Sequence, residues 1–379
     1  MMRLLALCVA AASLLIEPGR QVSDWSQVAP GVEYQRFPNP NVIVGPTRAN
    51  HAYHVLRVDP RQVDLQIVHA LDQAVGLETV SSMAARYGAI AAVNGGFFRT
   101  TGTYRGDSMG APMIDGELLS EPDRQRAVVA LIRTPDGVRA AFGHARADIS
   151  ISDGKTSRPV NGLNRPREPD ELIVYTPQFH GTTLTTPDGV EAIVRRDRVE
   201  RLVDPGGSQR IPTDGFVISG HGDGAAWLRS TLRAGSLVTL TRRLQPVDAG
   251  SSNWWATAED VLGAGPQLLK DGRVDITAGR ESMSASLATE RHPRTAIGAT
   301  SDGRVLLAVV DGRRPEWSDG MLLEELAGLM RSLGAVDAIN LDGGGSSTMV
   351  LQGNVANRPS DEAGERPVGD GILVLPRKR

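Results

Sequence analysis

A carboxylate, three glycines and three hydroxyl side chains follow one another in the segment NLDGGGSSTMV, residues 340–350. Glycine loses more conformational entropy on folding than any other residue, so three in succession at a strand end indicate a sharply turned or exposed backbone. Free backbone N–H groups in such a turn can bind an anion, and Asp342 can serve as acid, base or metal ligand. The segment indicates a phosphate or sugar site, with a polar turn between two strands as the alternative.

A second apolar run, residues 89–93, ends in a similar way at Asn94, Gly95 and Gly96. A buried strand that ends in an amide side chain and paired glycines can offer free donors to a phosphate or a sugar. We expect the two strand ends to converge on one pocket.

Three further segments, RTAIG at 294–298, DGR at 311–313 and ERPV at 365–368, accompany these two strand ends. Taken together, the five segments resemble the phosphodiester glycosidase family, and the resemblance extends from Val32 to Val374. It implies hydrolysis of the glycosidic bond of a sugar-1-phosphodiester, with release of a free, N-acetylglucosamine-like sugar and a phosphate monoester. Glucose or galactose phosphodiesters are equally compatible, because one scaffold can host different substrates.

The resemblance selects the candidate site residues. The catalytic candidates are Asp342, Glu365, Asn94 and Arg294. The candidates for binding substrate or phosphate are Gly95, Gly96, Gly343, Gly344, Gly345, Ser346, Ser347, Arg366 and Asp311. Carboxylates suit the positive charge that develops on the sugar, and arginines and backbone N–H groups suit the phosphate. Because phosphate is a good leaving group, a general acid can be dispensable.

Several of these residues also have structural interpretations. Glu365 could form a surface salt bridge with Arg366, and both charged residues of the DGR segment could be structural. His292 could donate a proton, but a lone histidine beside a proline is more often a loop residue, and we leave it out of the site.

The sequence predicts no required cofactor. It contains no His-x-x-x-His or Cys-x-x-Cys pair, so zinc has little support. Asp311, Asp342 and Glu365 could instead hold calcium or magnesium through oxygen ligands. The glycines are not followed by Gly-Lys-Ser/Thr, and no Gly-x-Ser-x-Gly elbow is present, which disfavours nucleotide hydrolysis and serine-hydrolase chemistry.

The composition is that of an ordinary globular protein, with 379 residues of which 40% are hydrophobic and 22% charged. The motifs run through the whole chain, so we predict a single intertwined catalytic domain over residues 23–379. A net charge of −3 and 4% aromatic residues argue against a nucleic-acid partner. The expected partner is a phosphodiester-linked sugar or glycopolymer.

Residues 1–22 resemble an export signal or anchor, because Arg3 precedes an uncharged stretch over residues 4–16. That stretch is too short for a good membrane span, so we expect no stable span once the leader is removed. A buried amino-terminal strand is the alternative. The prediction is an exported protein, located in the periplasm, in the cell envelope or outside the cell.

The elements that position these residues belong to an α+β fold with mainly antiparallel β-sheets and a few packed helices. Residues 53–58 and 63–69 read as two strands whose turn favours a hairpin, and residues 79–87 as a short helix stopped by Gly88. Short apolar segments between turns over residues 126–261 indicate antiparallel β-structure. A helix over residues 319–333, capped by Ser318 or Asp319, precedes a strand at 336–341.

Two other functions stay open. One is a non-catalytic glycan- or polymer-binding protein on the same scaffold, and the other is a phosphodiesterase that cleaves the P–O bond. The joint presence of Asn94, Arg294, Asp342 and Glu365 argues against a decayed site.

Overall fold

The computed structural model describes residues 24–37, 49–109, 113–122, 126–247 and 257–377. The predicted leader, residues 1–22, lies outside these ranges. The helices are α1 (Val80–Tyr87), α2 (Gly222–Thr231), α3 (Ala285–Thr289) and α4 (Leu323–Ser332). The strands are β1 (Ser26–Ala29), β2 (Val32–Phe37), β3 (Tyr53–Val58), β4 (Val63–His69), β5 (Ala91–Asn94), β6 (Met113–Ile114), β7 (Glu117–Leu118), β8 (Ala127–Thr134), β9 (Gly137–Ser152), β10 (Ser157–Pro159), β11 (Gly162–Leu163), β12 (Leu172–Tyr175), β13 (Gly189–Arg195), β14 (Arg198–Gly206), β15 (Gly215–Gly220), β16 (Thr239–Pro246), β17 (Ala258–Gly263), β18 (Gln267–Lys270), β19 (Arg273–Val274), β20 (Arg294–Thr300), β21 (Val305–Val310), β22 (Ala335–Asn340), β23 (Met349–Leu351), β24 (Asn354–Val355) and β25 (Asp370–Pro376).

These strands form four sheets. An eight-stranded sheet has the order β1-β2-β3-β21-β20-β22-β18-β19, and a five-stranded sheet has the order β24-β23-β5-β25-β4. A seven-stranded sheet runs β10-β9-β8-β17-β6-β7 with β16 added on β9, and a second five-stranded sheet runs β11-β12-β15-β13-β14. Only the pairing of β11 with β12 is parallel among the named strands. The predicted architecture of mainly antiparallel sheets with few helices is confirmed in this broad form.

The two sheets that carry the sequence motifs share one apolar core. Leu56 of β3 and Ile339 of β22, from the eight-stranded sheet, belong to the same buried cluster as Val93 of β5 and Ile372 of β25. Each such side chain contributes about 1.5–3 kcal/mol when it leaves water. This core holds the ends of β5, β22 and β25 at fixed positions relative to one another.

The helix predicted over residues 79–87 is confirmed as α1. The Thr79 hydroxyl accepts a hydrogen bond from the Ser82 N–H at 3.2 Å, which makes Thr79 the cap. Gly88 adopts a left-handed conformation with φ 65° and ends the helix.

The second predicted helix exists as α4 but starts later than its sequence suggests. Its first turn is capped by Glu325, whose carboxylate accepts the Leu322 N–H at 3.0 Å. The predicted caps, Ser318 and Asp319, lie in the preceding loop, where the Ser318 hydroxyl donates to the Asp311 carbonyl at 2.6 Å. The Ser318 side chain, which the local pattern assigned to the helix, is therefore bound to the backbone of Asp311 seven residues earlier, just after β21.

The predicted hairpin over residues 53–69 is wrong in its pairing, although both strands form. β3 pairs with β2 and β21, whereas β4 pairs with β25 in another sheet. The turn between β3 and β4 thus connects two sheets, because each strand finds its partners far along the chain. The region 126–261 also departs from pure antiparallel structure, since it contains α2 and the parallel pair. No helix within the described ranges is long and apolar enough to cross a membrane.

Candidate active site

The glycine-rich segment crosses from the eight-stranded sheet to the five-stranded sheet, between β22 and β23. It forms a single 3₁₀ turn over Gly344–Ser346, in which Gly344 has φ 62°. The Gly344 N–H donates to the Pro293 carbonyl at 2.9 Å, and a Cβ on Gly343 would lie 2.6 Å from the same oxygen. Glycine is required here by backbone conformation and by close approach.

Asn94 fixes this turn from the opposite sheet. Its Nδ2 donates to the Asp342 carbonyl at 2.8 Å, and its Oδ1 accepts from the Thr295 hydroxyl at 2.8 Å and the Thr348 N–H at 3.1 Å. The side chain is fully buried. The structure therefore brings the two predicted strand ends together, and Asn94 positions Asp342 instead of facing a substrate.

The backbone amides of Gly95 and Gly96 are occupied by Asp370. The Gly96 N–H donates to the Asp370 carboxylate at 2.6 Å, and the Gly95 N–H donates to the Asp370 carbonyl at 3.1 Å. The Ser108 hydroxyl donates to the other carboxylate oxygen. Gly95 must be glycine because a Cβ there would lie 2.1 Å from the Asp370 carboxylate. These amides are not free to bind phosphate, and sequence reasoning missed Asp370, whose only local signal is an Asp-Gly pair before an apolar run.

Asp342 is partly exposed to a cleft of about 220 Å³ and is enclosed by protein on its other sides. Burial raises the pKa of Asp342 to about 6, and the charge of Asp370 adds to this rise. The Ser346 hydroxyl, the Gly343 N–H and Arg366 act in the opposite direction. The Gly343 N–H donates to Asp342 Oδ1 at 2.9 Å. Asp342 is the one carboxylate among the described residues that line this cleft.

The three arginines around the cleft differ in what they bind. Arg294 is buried, and its guanidinium donates to the carbonyl oxygens of Met321, Leu287 and Glu290 at 2.9–3.0 Å. Burial lowers the pKa of Arg294 to about 10. This arginine touches the cleft wall, but its hydrogen bonds hold the segments around β20 together.

Arg366 and Arg313 lie at the mouth of the cleft. Arg366 forms a bidentate pair with Asp361 at 2.7 and 2.9 Å, and a Cβ on Gly345 would collide with this pair. Arg313 has φ 59°, is exposed and makes no hydrogen bond or ion pair within the part of the chain that the structure describes. Its Nη2 lies 3.0 Å from the position that a Cβ on Gly344 would occupy. The sequence motif at residues 311–313 includes Arg313, but only Asp311 of this motif was predicted as a site residue.

Two predicted carboxylates lie outside the cleft. Glu365 accepts hydrogen bonds from the N–H and the hydroxyl of Ser81, at 2.8 and 2.6 Å, in the first turn of α1. Asp311 is buried and accepts from Trp317 Nε1 at 2.8 Å, from Asn357 Nδ2 at 3.1 Å and from the backbone of residue 358 at 2.9 Å. The structure does not bring Asp311, Asp342 and Glu365 together. Among the described residues, no group of three or more His, Cys, Asp or Glu side chains could hold a metal ion, so nothing in this part of the chain supports a shared cation site on these three carboxylates.

The hydroxyls after the glycines are buried. The Ser347 hydroxyl lies 3.3 Å from the Thr295 hydroxyl oxygen and can donate to it, because the single Thr295 proton is donated to Asn94 Oδ1. Ser346 Oγ makes no hydrogen bond of ordinary geometry with a described residue, although it is close enough to affect the pKa of Asp342. A bound ligand or a water molecule can satisfy such a group.

Asn340 and His292 also line the cleft, and the sequence analysis left both out of the site. Asn340 Nδ2 donates to the carbonyls of Gly265 and Leu341, while its Oδ1 is buried without a partner among the described residues. His292 Nε2 lies 3.2 Å from the Ser286 hydroxyl. Burial lowers the pKa of His292, and the charge of Arg294 adds to this effect. A neutral histidine can exchange hydrogen bonds with sugar hydroxyls.

The comparison with protein families matches residues 188–375 to the phosphodiester glycosidase family. The N-acetylglucosamine-1-phosphodiester alpha-N-acetylglucosaminidase of Mus musculus is 46% identical over 68 residues, which are 18% of this chain and 13% of that protein. An uncharacterized protein of Rickettsia conorii is 25% identical over 232 residues, which are 60% of this chain and 77% of that protein. The chain thus matches only a small part of the mouse enzyme's length.

Solved structures show the same fold. A Burkholderia pseudomallei protein named "Putative exported protein" has a TM-score of 0.76 at 29% identity, over 89% of this chain and 76% of that one. A hypothetical protein from Synechocystis has a TM-score of 0.77 at 24% identity, over 92% and 62% of the two chains. The family match includes Arg294, Arg313, Asp342 and Arg366 of the cleft. The resemblance read from the sequence is confirmed, and residues 188–375 carry the phosphodiester glycosidase family domain.

Proposed function

We propose that this chain hydrolyses the glycosidic bond of a sugar-1-phosphodiester and releases free sugar and a phosphate monoester. The observation that carries the proposal is that one cleft is lined by both Asp342 and Arg313. Among the described residues, Asp342 is the one carboxylate in the lining, and the Arg313 guanidinium has no hydrogen bond or ion pair. N-acetylglucosamine is the first sugar to test because of the substrate in the mouse relative's name.

Asp342 is the residue to which we assign the proton transfer. Burial raises the pKa of this carboxyl to about 6, so near neutral pH it is ionised and still basic enough to accept a proton from water. The attacking water then forms the new bond at the anomeric carbon, and the phosphate leaves with the electrons of the old bond. No second carboxylate lines the cleft among the described residues, and a phosphate leaving group does not require a general acid.

The phosphate is assigned to Arg313 and Arg366. A guanidinium donates well to phosphate oxygens, and Arg313 has all its donors available within the described structure. Arg366 has two donors on Asp361, which fix its orientation, and retains others for a ligand. The orphaned Asn340 Oδ1 can accept from a sugar hydroxyl, which would relieve the cost of its burial.

Four residues, Asn94, Arg294, Asp342 and Glu365, together argue at the sequence level against a non-catalytic binding protein, but three of them have structural roles instead. Asn94, Arg294 and Glu365 each have hydrogen bonds that explain them by folding alone. Their presence therefore does not discriminate an enzyme from a binding protein. Asp342 and Arg313 are more informative, because Asp342 Oδ2 has no hydrogen bond and Arg313 has no hydrogen bond or ion pair among the described residues, although Asn94 and the Gly343 N–H position Asp342.

We extend the proposal to an exported enzyme that acts on phosphodiester-linked glycans of the cell envelope or its surroundings. The name of the Burkholderia pseudomallei neighbour supports export, as does the leader-like composition of residues 1–22. Residues 23–379 would form its single catalytic domain.

Mass-resolved product analysis with an α-N-acetylglucosamine-1-phosphodiester tests this proposal. Wild type should release free sugar, and Asp342→Asn should not. Asp337→Asn is the matched control, because burial also raises the pKa of Asp337, on the same strand β22 but outside the cleft. Release of sugar phosphate and a free alcohol would favour P–O cleavage, and binding without turnover that Asp342→Asn leaves unchanged would favour the binding protein.

A further inference from the structure

A second cavity, of about 310 Å³, lies apart from the catalytic cleft and shares no lining residue with it. Its walls come from β4, the start of the following loop, the end of α1, the β6–β7 hairpin and the segment around Gln178. Small-molecule sites in proteins begin at about this size. Nothing in the proposed reaction uses this cavity.

His69, at the end of β4, lines the cavity with its hydrogen-bonding capacity unused. The side chain is 5% exposed, and neither ring nitrogen has a hydrogen bond of ordinary geometry among the described residues, although the Gly369 backbone is close enough to affect the pKa of His69. Burial lowers the pKa of His69 to about 4, so the ring is neutral at ordinary pH. A neutral imidazole keeps one donor and one acceptor for a ligand.

Gln178 supplies a second unused acceptor. Its Nε2 donates to the Glu117 carboxylate at 2.7 Å. A carboxylate only accepts, so the amide nitrogen must face Glu117 and the amide oxygen must face away. That oxygen is buried without a partner in the described part of the chain. Leaving such an atom unsatisfied is unfavourable unless a ligand or water binds it.

Most of the charge around the cavity is compensated. Glu117 also accepts from Arg242 at 3.0 Å, and Asp72 pairs with Arg86 and accepts from the Tyr87 hydroxyl at 2.6 Å. Asp115 alone, in the exposed Asp-Gly turn of the β6–β7 hairpin, has a carboxylate with no partner among the described residues. The cavity thus offers more acceptors than donors but only one uncompensated charge.

We propose that this cavity is a second binding site, and that it takes an uncharged ligand with several hydroxyl groups, about the size of one sugar residue. Hydroxyl donors match the free acceptors on Gln178, Asp115 and His69. The ring of Tyr87 provides an aromatic wall of the kind on which a sugar face can pack. A cationic ligand would be favoured by a cluster of uncompensated carboxylates, whereas only one is present. The inference stands whether or not the catalytic proposal holds.

The test is a titration of the full chain with N-acetylglucosamine and, separately, with ethylammonium, followed by ligand-observed NMR. Asp115→Asn should weaken sugar binding at this site roughly tenfold, because a hydrogen bond to a charged acceptor is replaced by a weaker one to a neutral amide oxygen. Gln178→Met, a variant of similar volume, should weaken it comparably. Arg313→Ala, in the other cleft, should leave it unchanged.

Asp271→Asn is the matched control. Asp271 occupies the equivalent position of an Asp-Gly turn in the β18–β19 hairpin, and it has the same φ of 50° as Asp115. The Asp271→Asn variant should bind the sugar as wild type does. The proposal is overturned if the folded Asp115→Asn and Gln178→Met variants both bind the sugar like wild type, if no sugar binding survives in Arg313→Ala, or if only ethylammonium binds.

Discussion

Asp342 and Asp370 are two aspartates at the junction of the same two sheets, and desolvation raises the pKa of each to about 6. They differ in what remains for a ligand. Asp370 is 1% exposed and binds the Gly96 N–H and the Ser108 hydroxyl. Asp342 receives one N–H and is partly exposed to a cleft. A perturbed pKa alone therefore does not identify the reactive group, whereas access and unused acceptor capacity do.

The arginines repeat the comparison. Arg294 is buried and donates hydrogen bonds to three carbonyl oxygens, while Arg313 is exposed and unpaired among the described residues. Both lie in segments that resemble the family. Arg294 stabilises the wall of the cleft, and Arg313 can bind a ligand.

The largest effect is expected from Asp342→Asn. Removing the base should lower kcat by about 10²–10⁴-fold, the range typical of a lost general base. The melting temperature should change little, since asparagine can accept the same Gly343 N–H. Steady-state kinetics on the sugar phosphodiester, with Asp337→Asn alongside, measure this. Activity above a tenth of wild type would assign the chemistry elsewhere.

The two arginines should separate stability from activity. Arg313→Ala should lower kcat/KM by roughly 10–100-fold, as expected for a charged hydrogen bond worth about 1.5–3 kcal/mol. Urea unfolding of this variant should match wild type. Arg294→Met should instead lower the free energy of unfolding by about 2–4 kcal/mol, because buried carbonyl oxygens lose their donor. Equal effects of both variants on kcat/KM with unchanged stability would contradict the distinction.

Asp370→Ala should act mainly on folding. It leaves the Gly96 N–H without its acceptor and removes one hydrogen bond of Ser108, which should cost about 1–3 kcal/mol in the free energy of unfolding. Asp370→Asn should recover part of that loss, because an amide oxygen can still accept from Gly96. Denaturant titration of the three proteins measures it. A stable Asp370→Ala protein without activity would make Asp370 a chemical participant.

Activity and the contribution of Asp342 and Asp370 to stability should respond to pH in opposite directions. In the pH profile of kcat/KM, the acidic limb that depends on Asp342 should rise about tenfold per pH unit below pH 6 and level off above it. The folded pKa values of Asp342 and Asp370 are raised above about 3.9, so the folded state binds more protons between pH 4 and 6. The contribution of Asp342 and Asp370 to stability should therefore fall as pH rises across that window, against the opposite contribution of carboxyls whose pKa is lowered, such as Asp59 and Asp311. Rate profiles and unfolding curves at matched pH test both directions, and an activity limb that does not depend on Asp342 would contradict the assignment.

Glu365→Ala should have the smallest effect. It removes the acceptor of the Ser81 N–H in the first turn of α1, which should cost about 1 kcal/mol. Because Glu365 does not line the cleft, kcat should stay within about twofold of wild type. Such a change is well below the tenfold effect that about 1.4 kcal/mol in the activation free energy would produce. A large loss of kcat in a stable Glu365→Ala protein would restore Glu365 as a catalytic residue.

The glycine turn and α1 were predictable because each depends on local chemistry, whereas the convergence of the two strand ends was expected because both strands end in similar polar, glycine-containing segments. Gly88 must be left-handed to end α1, and the glycines after Asp342 must tolerate close backbone approach. Amphipathic and apolar periodicity also predicted β4 with its observed bounds and most of α4.

The roles of individual polar residues were not predictable, because their partners are distant in sequence. Glu365 binds Ser81, 284 residues away, and Asn94 binds Asp342, 248 residues away. The pairing of β3 and β4 failed for the same reason. Arg294 and Arg313 look alike in sequence, and only the packing of α3 and α4 around β20 decides which one is buried.

Hydrolysis in ¹⁸O-labelled water tests the central claim most directly. If Asp342 activates water for attack on the anomeric carbon, the label must appear in the released sugar, and the phosphate monoester must carry none. The Asp342→Asn variant should release no labelled sugar. Label in the phosphate group of the wild-type product would show that the P–O bond is cleaved and would contradict the account.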